Sequence, residues 1–367
     1  MGDAAGTGQQ DPTLRSHLRA IIASKKHREL CNSVIPTLTE GISEIAKALR
    51  GSQKVSLAGS ANAFGDDQLN VDVLAEDIIR DAIAKCPSVA TASSEEDPVE
   101  RPGRRGESSI SSSRDDAEEQ YTVAFDPLDG SSIITPNWAV GAIIGIWEGG
   151  TALRQPPAEK QVAAILGVFG PRAVAVVAVR VPGSEGVCFE VGLGEDGKNR
   201  GAEVLRPSIR FAEPPFGTRY FAPANLRAAA EDEKYMALVT HFIQNKYTLR
   251  YSGGLVPDVV HALVKGHGVY ISPVTDKSNA KLRRLFELFP LALIVECAGG
   301  LAIDPVDGSN ILGRQLEDIN ERAGLIFVPL MVFRDAVVFC FAWFGGVHTT
   351  LDHFPVIDPF WACMRVN

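Results

Sequence analysis

The sequence lacks the cysteine spacing of a disulfide framework or a zinc site. Its six cysteines are scattered over 367 residues without a C-x-x-C pair. Disulfide-stapled secreted domains and zinc folds both depend on closely spaced cysteines, so both classes are disfavoured. We expect small buried apolar side chains at all six positions, which are Cys31, Cys86, Cys188, Cys297, Cys340 and Cys363.

Positive charge is also in short supply. The chain carries 36 Lys and Arg residues against 45 Asp and Glu residues, a formal net charge of −9. Nucleic acids and anionic membranes attract an excess of cationic side chains, so we expect neither as a main partner. An anionic small molecule remains compatible if local cations or metal ions receive it.

Long apolar runs are absent as well. Residues 1–20 show no apolar stretch after a basic start, so neither a secretory signal nor a membrane anchor is expected, and the cytosol is the expected location. The apolar runs after residue 327 are interrupted by Arg334 and Asp335 and are too short for a membrane span.

What the sequence does contain is the alternation of helix and strand patterns typical of an α/β protein. Apolar residues spaced by three and four predict amphipathic helices, and short apolar runs bounded by turn residues predict buried strands. The expected helices cover 35–50, 71–85, 226–245 and 279–300. The expected strands cover 121–126 and 140–147, with a pair over 161–181 that turns at Gly170-Pro171.

The length of the chain favours two domains, because single cores stop growing at roughly 250–300 residues. Residues 192–216 are rich in turn formers and form the expected boundary. We predict an N-terminal domain over 1–213 and a C-terminal domain over 214–327, followed by a tail over 328–367. Residues 99–120 combine Pro, Gly, Ser and dense charge, and are expected to be a disordered insertion without catalytic residues.

One stretch, "AFDPLDGSSII" at 124–134, places two carboxylates at the end of a predicted strand. Asp126 and Asp129 offer hard oxygen ligands of the kind that Mg²⁺ prefers. Gly130, Ser131 and Ser132 follow and can start a helix whose free N–H groups receive an anion. The stretch therefore favours metal-assisted phosphate chemistry, although Asp-Pro and Asp-Gly are also ordinary turn dipeptides.

Further carboxylates support the same interpretation. "SSEED" supplies Glu95 and Glu96, and Asp72 precedes a predicted helix. Glu296 lies in an apolar helix, where a carboxylate is costly unless it is paired or binds a metal. The alternative for Glu296 is a salt bridge to Lys281 or Arg283.

In their order along the chain, "SSEED", "FDPLDGSS", "RYSGG", "KLRRLFE" and "ECAGG" resemble the fructose-1,6-bisphosphatase superfamily, most closely its sedoheptulose-1,7-bisphosphatase branch. The resemblance covers about residues 15–327 and is carried by the ordered combination of motifs. It implies a layered α-β-α-β-α sugar phosphatase fold, with an α+β N-terminal domain and an α/β C-terminal domain that has a mixed sheet.

The resemblance also implies roles for individual residues. The implied metal ligands are Glu95, Asp126, the Leu128 carbonyl, Asp129 and Glu296. The implied water-activating acids are Glu96 and Asp72, with Asp66 on a mobile catalytic loop. The implied phosphate and sugar contacts are Gly130, Ser131, Ser132, Asn225, Arg250, Tyr251 and Lys281. Mg²⁺ is the implied cofactor, with Mn²⁺ as an alternative.

The implied reaction is hydrolysis of the C1 phosphate of a sugar bisphosphate, with sedoheptulose 1,7-bisphosphate ahead of fructose 1,6-bisphosphate. In the family an arginine at the position of Arg250 reaches the neighbouring subunit, so a homodimer or homotetramer is expected. An inositol-phosphate-type phosphatase and a non-catalytic sugar-phosphate-binding protein are the alternatives. The second alternative is motivated by Thr135, which stands where the family usually has an aspartate, and by the tail.

Other departures from the family bear on specificity and regulation. Ile271 and Ala228 stand where fructose-bisphosphatases have tyrosines, which points away from strict fructose-bisphosphate specificity. The regulatory cysteine pair of chloroplast relatives has no counterpart between Cys31 and Cys86. From Val328 onward the sequence abandons the family pattern, and we expect a poorly packed tail.

Overall fold

The structure is a computed structural model that describes residues 13–22, 25–61, 67–103, 119–194, 202–275 and 277–330. Its helices are α1 (Leu14–Ile21), α2 (Ile35–Gly51), α3 (Asn70–Ala84), α4 (Ser131–Ile134), α5 (Pro157–Lys160), α6 (Glu233–Gln244), α7 (Leu255–Lys265) and α8 (Phe289–Cys297). π-Helical turns, Leu30–Val34 and Arg284–Leu288, lead directly into α2 and α8. Short 3₁₀ turns cover Lys25–His27, Leu226–Ala230 and Ile311–Gly313.

The strands before the expected domain boundary are β1 (Leu57–Ala61), β2 (Asp67–Leu69), β3 (Val89–Ser94), β4 (Arg101–Pro102), β5 (Tyr121–Asp129), β6 (Val140–Glu148), β7 (Gln161–Phe169), β8 (Ala173–Val179), β9 (Val187–Gly192) and β10 (Glu203–Arg206). Those after it are β11 (Tyr220–Pro223), β12 (Thr248–Leu249), β13 (Val269–Ser272), β14 (Leu282–Arg283), β15 (Gly300–Ile303), β16 (Arg322–Ala323) and β17 (Leu325–Pro329).

Two mixed sheets organise the molecule. The eight-stranded sheet has the order β10-β9-β8-β7-β6-β5-β3-β4, and its β3–β5 pair is parallel while the other pairs are antiparallel. The five-stranded sheet has the order β12-β11-β13-β17-β15, with β11 parallel to both of its neighbours. Two small hairpin-like pairs, β1–β2 and β14–β16, lie outside them.

Side-chain alternation along the strands shows how the layers stack, because successive residues of a strand point to opposite faces. On β6, Ile144 packs in the core formed with α2 and α3, whereas Ile143 packs in the core formed with α7 and α8. On β17, Phe327 faces the α7 and α8 core and Ile326 faces the core that contains α6. The layers therefore run α-β-α-β-α, as expected from the resemblance.

Strong periodicity identified the main elements correctly. The helices expected over 35–50 and 71–85 are α2 and α3, and the strand pair expected over 161–181 is β7 and β8. Cys31, Cys86, Cys188 and Cys297 are buried and free, while the other two cysteines lie outside the described residues. No helix in the described part of the chain is long and apolar enough to cross a membrane.

The middle helical layer joins the two sheets. Helix α8, which follows the expected domain boundary, packs against β6, β7 and β8 of the first sheet, and its residues share a core with Phe327 of the second. The division at 213/214 stays a prediction. Within the predicted insertion, Arg101–Pro102 forms an edge strand and 104–118 lies outside the described residues.

The structure contradicts the expectation of poor packing for the first residues of the tail. Strand β17 continues to Pro329, and Val328 is only 2% exposed in the core against α6. Apolar residues that complete a strand pair can pack into the core, whatever residues follow them in the sequence. The expectation of poor packing is therefore wrong for 328–329, and 331–367 lies outside the described residues.

Candidate active site

An irregularity in β5 sets the direction of the two aspartates in "FDPLDGSS". Asp126 pairs with Ile143 and Asp129 pairs with Gly141, so three steps along β5 match two steps along β6. Residues three apart on a regular strand point to opposite faces, but one extra residue in a β-bulge returns them to the same face. Within the bulge, the Leu128 N–H donates to Asp126 Oδ1 at 3.0 Å.

Asp126 belongs to a group of three carboxylates from distant parts of the chain. Oxygen atoms of Glu95, Asp126 and Glu287 lie within 4.8 Å of one another. Glu95 directly follows β3, and its N–H donates to the Phe125 carbonyl at 3.0 Å, which ties it to β5. Glu287 comes from the π-helical turn before α8. We call Glu95, Asp126 and Glu287 the acidic triad.

A buried arginine fixes two members of the acidic triad. Arg283 is 2% exposed, and its guanidinium contacts the Glu95 carbonyl at 2.9 Å and the Glu95 carboxylate at 3.2 Å. The backbone N–H of Arg283 donates to Glu287 Oε2 at 2.5 Å. One residue therefore orients both Glu95 and Glu287, and its guanidinium neutralises only part of the charge of the triad.

The electrostatics of the triad fit a divalent cation. Burial, followed by the charge of Glu95, raises the pKa of Asp126 and of Glu287 well above the usual carboxyl range. Burial raises the pKa of Asp129 to about 7, against the opposing effect of N–H donors from Val256 and Leu255. Converging carboxylates that repel one another in a low-dielectric interior gain a large stabilisation when a hard cation binds between them. The all-oxygen donor set favours Mg²⁺ or Mn²⁺.

Asp129 has a second role beside the triad. Its Oδ2 accepts the Val256 N–H at 2.7 Å and its Oδ1 accepts the Leu255 N–H at 3.4 Å, both in the first turn of α7. A carboxylate at a helix N-terminus satisfies free N–H groups and the helix dipole. Asp129 thus docks α7 against β5 while its charge still acts on Asp126.

Glu296 does not join the triad, so its prediction as a metal ligand is wrong. Its Oε2 pairs with Arg180 at 2.7 Å, and its Oε1 accepts a hydrogen bond from Asn310 at 2.8 Å. Nine residues separate it from Glu287 along one helical segment, about two and a half turns, so the two side chains point in roughly opposite directions. The expectation of a salt bridge was right in kind, but the partner is Arg180 rather than Lys281 or Arg283.

Two of the three predicted water-activating acids lie near the triad. Asp72 is 5% exposed at the start of α3, where its Oδ2 accepts the Leu69 N–H at 2.8 Å. Its Oδ1 is buried and has no hydrogen-bond partner in the described part of the chain. Burial raises the pKa of Asp72 to about 6, and the charges of Glu96 and Glu95 add to the shift. Asp66 lies outside the described residues.

Glu96 is held by a glutamine of the β1–β2 pair. Gln68 on β2 donates from Nε2 to Glu96 Oε2 at 2.5 Å. Because Asp72 and Glu96 influence each other electrostatically, the structure brings the "SSEED" segment and the start of α3 together as expected. Asp72 and Glu96 therefore lie beside the acidic triad, Asp72 at the start of α3 and Glu96 next to β2.

The glycine turn after Asp129 has the conformation that the motif predicts. Gly130 has φ +92°, in the left-handed region, and a Cβ there would lie 3.3 Å from both Ile133 and Val140. Ser131 and Ser132 begin the short helix α4 and are exposed to solvent. The turn therefore presents its hydroxyl groups at the surface directly beside the buried carboxylates.

The "RYSGG" segment packs against this turn. A Cβ at Gly254 would lie 3.2 Å from the Ile133 side chain, so the segment and α4 are in close contact. Asp258 on α7 accepts the N–H of Ser252 at 2.8 Å and of Gly253 at 3.3 Å, which fixes the segment. This contact brings the expected sugar-binding segment to the edge of the metal-binding segment.

The predicted sugar contacts lie along this edge to different degrees. The Tyr251 hydroxyl lies near the backbone of Asn225, and burial, followed by the charges of Asp258 and Asp129, raises the pKa of this hydroxyl. The Asn225 side chain donates to the Ser278 hydroxyl at 2.5 Å. Tyr251 and Asn225 are thus brought together near Asp129.

Arg250 and Lys281 are more peripheral. The Arg250 guanidinium lies 5.7 Å from the centre of the Tyr220 ring and makes no ion pair within the described part of the chain. Lys281 is exposed immediately before β14. Both cations remain accessible to an anionic ligand, and neither contacts the acidic triad.

The layered α/β fold and the converging carboxylates define a phosphomonoester hydrolase. Within that class, the chain belongs to the fructose-1,6-bisphosphatase family, whose members are sugar-bisphosphate phosphatases. Residues 20–196 match the family model of the fructose-1,6-bisphosphatase N-terminal domain, and residues 215–329 match that of the C-terminal domain.

Individual relatives come from both branches of the family. A chloroplastic sedoheptulose-1,7-bisphosphatase of Chlamydomonas reinhardtii is 35% identical over 319 residues, which cover 86% of this chain and 71% of the relative. A class 1 fructose-1,6-bisphosphatase of Citrifermentans bemidjiense is 36% identical over 310 residues, which cover 82% of this chain and 84% of the relative.

A solved structure agrees with the fold. The crystal structure of a Toxoplasma gondii protein, provisionally assigned as a sedoheptulose-1,7 bisphosphatase, superposes with a TM-score of 0.77 at 32% identity. The match covers 90% of this chain and 99% of that chain. The shared architecture therefore extends over nearly all of the solved relative.

Proposed function

We propose that the protein hydrolyses the C1 phosphate of a sugar bisphosphate in a reaction that depends on Mg²⁺. The observation that carries this proposal is the acidic triad, three carboxylates within 4.8 Å that come from distant parts of the chain and lie next to the Gly130 turn. Among the described residues, Arg283 brings a guanidinium into contact with the triad. A cation from solution would neutralise the negative charge that remains.

The acidic triad would hold the metal ion, with Asp129 and the Leu128 carbonyl as further oxygen donors from the β5 bulge. A bound divalent ion supplies Lewis-acid stabilisation of phosphoryl oxygens and lowers the pKa of a water molecule. The contribution of this chain is to bring the donors together, oriented by Arg283 and shielded from bulk water. Mn²⁺ is an alternative, because it takes the same oxygen ligands.

Proton transfer from the attacking water is assigned to Asp72 and Glu96. Asp72 has an oxygen with no hydrogen-bond partner among the described residues and a pKa of about 6, so the carboxylate is mostly ionised at neutral pH and its pKa is close to the working range of a general base. Asp66 keeps its predicted role as a third acid, on the segment that joins β1 and β2.

Phosphate and sugar binding are assigned to the exposed edge of the site. Gly130, Ser131 and Ser132 would hold the phosphate that leaves, because the two serines are exposed to solvent beside the carboxylates. The second phosphate and the sugar would contact Asn225, Arg250, Tyr251 and Lys281. Guanidinium and ammonium groups suit this task because they bind phosphate oxygens without needing deprotonation.

Sedoheptulose 1,7-bisphosphate is proposed as the preferred substrate, ahead of fructose 1,6-bisphosphate. Support comes from the names of the chloroplastic relatives and from Ile271 and Ala228, which are buried apolar residues where fructose-bisphosphatases have tyrosines. A longer sugar changes only a few pocket contacts, so the expected ratio of kcat/KM values is about tenfold or less.

A homodimer or homotetramer and a cytosolic location stay predictions. The exposed Arg250 and its neighbour Leu249, 51% exposed on the edge strand β12, are available to a second copy of the chain. Sedimentation velocity of the purified protein would show the assembly, and a monomer at micromolar concentration would contradict it.

Phosphate release from three substrates tests the proposed function. Purified protein with Mg²⁺ should release phosphate from sedoheptulose 1,7-bisphosphate and fructose 1,6-bisphosphate, and much more slowly from inositol 1-phosphate, which has no second phosphate. Preference for inositol 1-phosphate would favour the inositol-phosphatase alternative. Binding of a sugar bisphosphate with no phosphate release would favour the non-catalytic alternative.

A further inference from the structure

A six-residue pattern of the active site occurs a second time in the chain. Residues 126–131 read "DPLDGS", and residues 304–309 read "DPVDGS". Both copies lie where a strand ends, since β5 ends at Asp129 and β15 ends at Ile303.

The two copies share local geometry. The Val306 N–H donates to Asp304 Oδ1 at 2.9 Å, as the Leu128 N–H donates to Asp126 Oδ1 at 3.0 Å. Gly308 has φ +71°, in the same left-handed region as Gly130. The first aspartate is buried in both copies. The second copy therefore presents a buried carboxylate in much the same way as the first.

The groups that face the buried aspartate differ between the two copies. Asp126 faces other carboxylates, whereas Asp304 pairs with the guanidinium of Arg284, which is 2% exposed. Arg284 also contacts Glu321 Oε1 at 2.8 Å, and its backbone N–H donates to the Glu321 carbonyl at 2.9 Å. In the second copy, a guanidinium supplied by the chain takes the place of a cation from solution.

This ion pair lies at the start of the segment that delivers Glu287. Arg284 is the first residue of the π-helical turn, Glu287 is three residues later, and Arg283 is its immediate neighbour. The backbone position of 283–284 is thus set from one side by Asp304 and Glu321. On the other side, the Arg283 N–H donates to Glu287 and the Arg283 guanidinium contacts Glu95.

We propose that Asp304 and Arg284 are positioning residues, which hold the π-helical turn so that Glu287 completes the acidic triad. The inference deepens the proposed function and rests on it. Residues that orient metal ligands without touching the metal commonly change metal affinity 10- to 100-fold when they are substituted. Removing the Asp304 charge would leave the Arg284 guanidinium buried with Glu321 as its remaining partner and would release the turn.

Isothermal titration with Mn²⁺ on the full chain tests the proposal. Asp304→Asn should raise the Mn²⁺ dissociation constant about tenfold or more, with an unchanged circular dichroism spectrum. The matched control is Glu190→Gln, because Glu190 is another buried carboxylate that pairs with an arginine, Arg206, away from the triad. This control should lose thermal stability and bind Mn²⁺ as the wild type does.

Arg284→Lys provides a second variant if Asp304→Asn fails to fold. Lysine keeps the charge opposite Asp304 but cannot also reach Glu321 with a planar fork, so Mn²⁺ affinity should fall by a smaller factor, about threefold to tenfold. Wild-type Mn²⁺ affinity in a folded Asp304→Asn or Arg284→Lys variant would overturn the proposal. So would an equal loss in Glu190→Gln, or a wild-type chain that binds no Mn²⁺.

The titration separates this inference from the proposed function. If the wild-type chain binds Mn²⁺ and loses affinity in Asp304→Asn but releases no phosphate, the positioning role stands and the phosphatase proposal fails. If the wild-type chain is an active phosphatase and Asp304→Asn keeps its Mn²⁺ affinity, the positioning role fails and the phosphatase proposal stands.

Discussion

Two glutamates on one helical segment have opposite environments. Glu287, at the start of the segment that includes α8, lies among Glu95, Asp126 and Asp129, and its neighbouring cation in the described part of the chain is Arg283. Glu296, at the end of the segment, has each carboxylate oxygen bonded, one to Arg180 and the other to Asn310. Both glutamates follow apolar residues, and neither the motif nor the burial of the chain around them tells them apart.

Charge compensation is what distinguishes the two ends. Buried carboxylates elsewhere in the fold, such as Glu190 and Asp304, also face an arginine. At the acidic triad the carboxylates outnumber the cations in contact with them among the described residues, and burial together with mutual repulsion raises the pKa of Asp126 and of Glu287. A buried carboxylate group that the chain leaves undercompensated is the mark of a cation site, whereas a compensated one is structural.

The largest expected effect compares the two glutamates directly. Glu287→Gln should lower kcat for phosphate release about a thousandfold, because an amide lacks the negative charge that holds the metal ion in the site. Glu296→Gln should change kcat by less than about threefold, since its partners are structural. Steady-state rates at saturating Mg²⁺ measure both. Equal losses in the two variants would contradict the distinction.

Asp72 tests whether an undercompensated acid next to the triad takes part in proton transfer. Asp72→Asn should lower kcat about a hundredfold, the usual contribution of a general base. In the wild type, kcat/KM should fall as the pH drops through about 6, because Asp72 then becomes protonated. A pH–rate profile measures this limb. The same acidic limb in an active Asp72→Asn variant would exclude Asp72 as its cause.

The stability of the metal-free protein should depend on pH in an unusual direction. The raised pKa values mean that the folded state binds more protons than the unfolded state, so stability falls as the pH rises from about 4 to 7. Asp72 alone, with its pKa moved from 3.8 to about 6, corresponds to about 3 kcal/mol. Urea unfolding in EDTA at several pH values measures this trend.

Addition of Mg²⁺ should oppose that trend, because the ion binds the ionised carboxylates. Thermal unfolding with Mg²⁺ should therefore show stabilisation that grows between about pH 5 and 7. A metal-free chain that becomes steadily more stable over this interval would contradict the proposed undercompensation.

The smallest expected effect concerns the compensated end. Arg180→Met should lower the free energy of unfolding by about 2 kcal/mol, less than for a fully buried pair, because Glu296 and Arg180 retain some solvent contact. Activity should remain within about twofold of wild type. The double variant Arg180→Met/Glu296→Met should recover most of the stability, because no unpaired charge remains. Urea unfolding of the three proteins provides the comparison.

Sequence periodicity predicted the framework because long amphipathic and apolar elements have strong patterns. The spacing of apolar residues located α2 and α3, and the apolar runs located β5, β6 and the β7–β8 pair. Short elements such as β1, β2 and β14 have too few residues for a periodic pattern, and each forms by pairing with another short strand, which for β14 is distant along the chain.

The candidate site was predicted only in part, for geometric reasons. Glu95 and Asp126 were found through strand ends and motif order, and Asp72 through the start of a helix. Glu296 was predicted as a ligand and Glu287 was missed because both are glutamates in the same apolar run, and which side faces β5 depends on where the helical segment docks. The "KLRRLFE" motif contained the missing signal, since two arginines and a glutamate near the start of a buried segment need partners there.

A crystal of the protein grown with Mn²⁺ tests the central claim most directly, through the anomalous scattering of the ion. We expect a strong anomalous peak within coordination distance of Glu95, Asp126 and Glu287, and no peak beside Glu296. A peak at Glu296, or an empty acidic triad at millimolar Mn²⁺ near neutral pH, would contradict it.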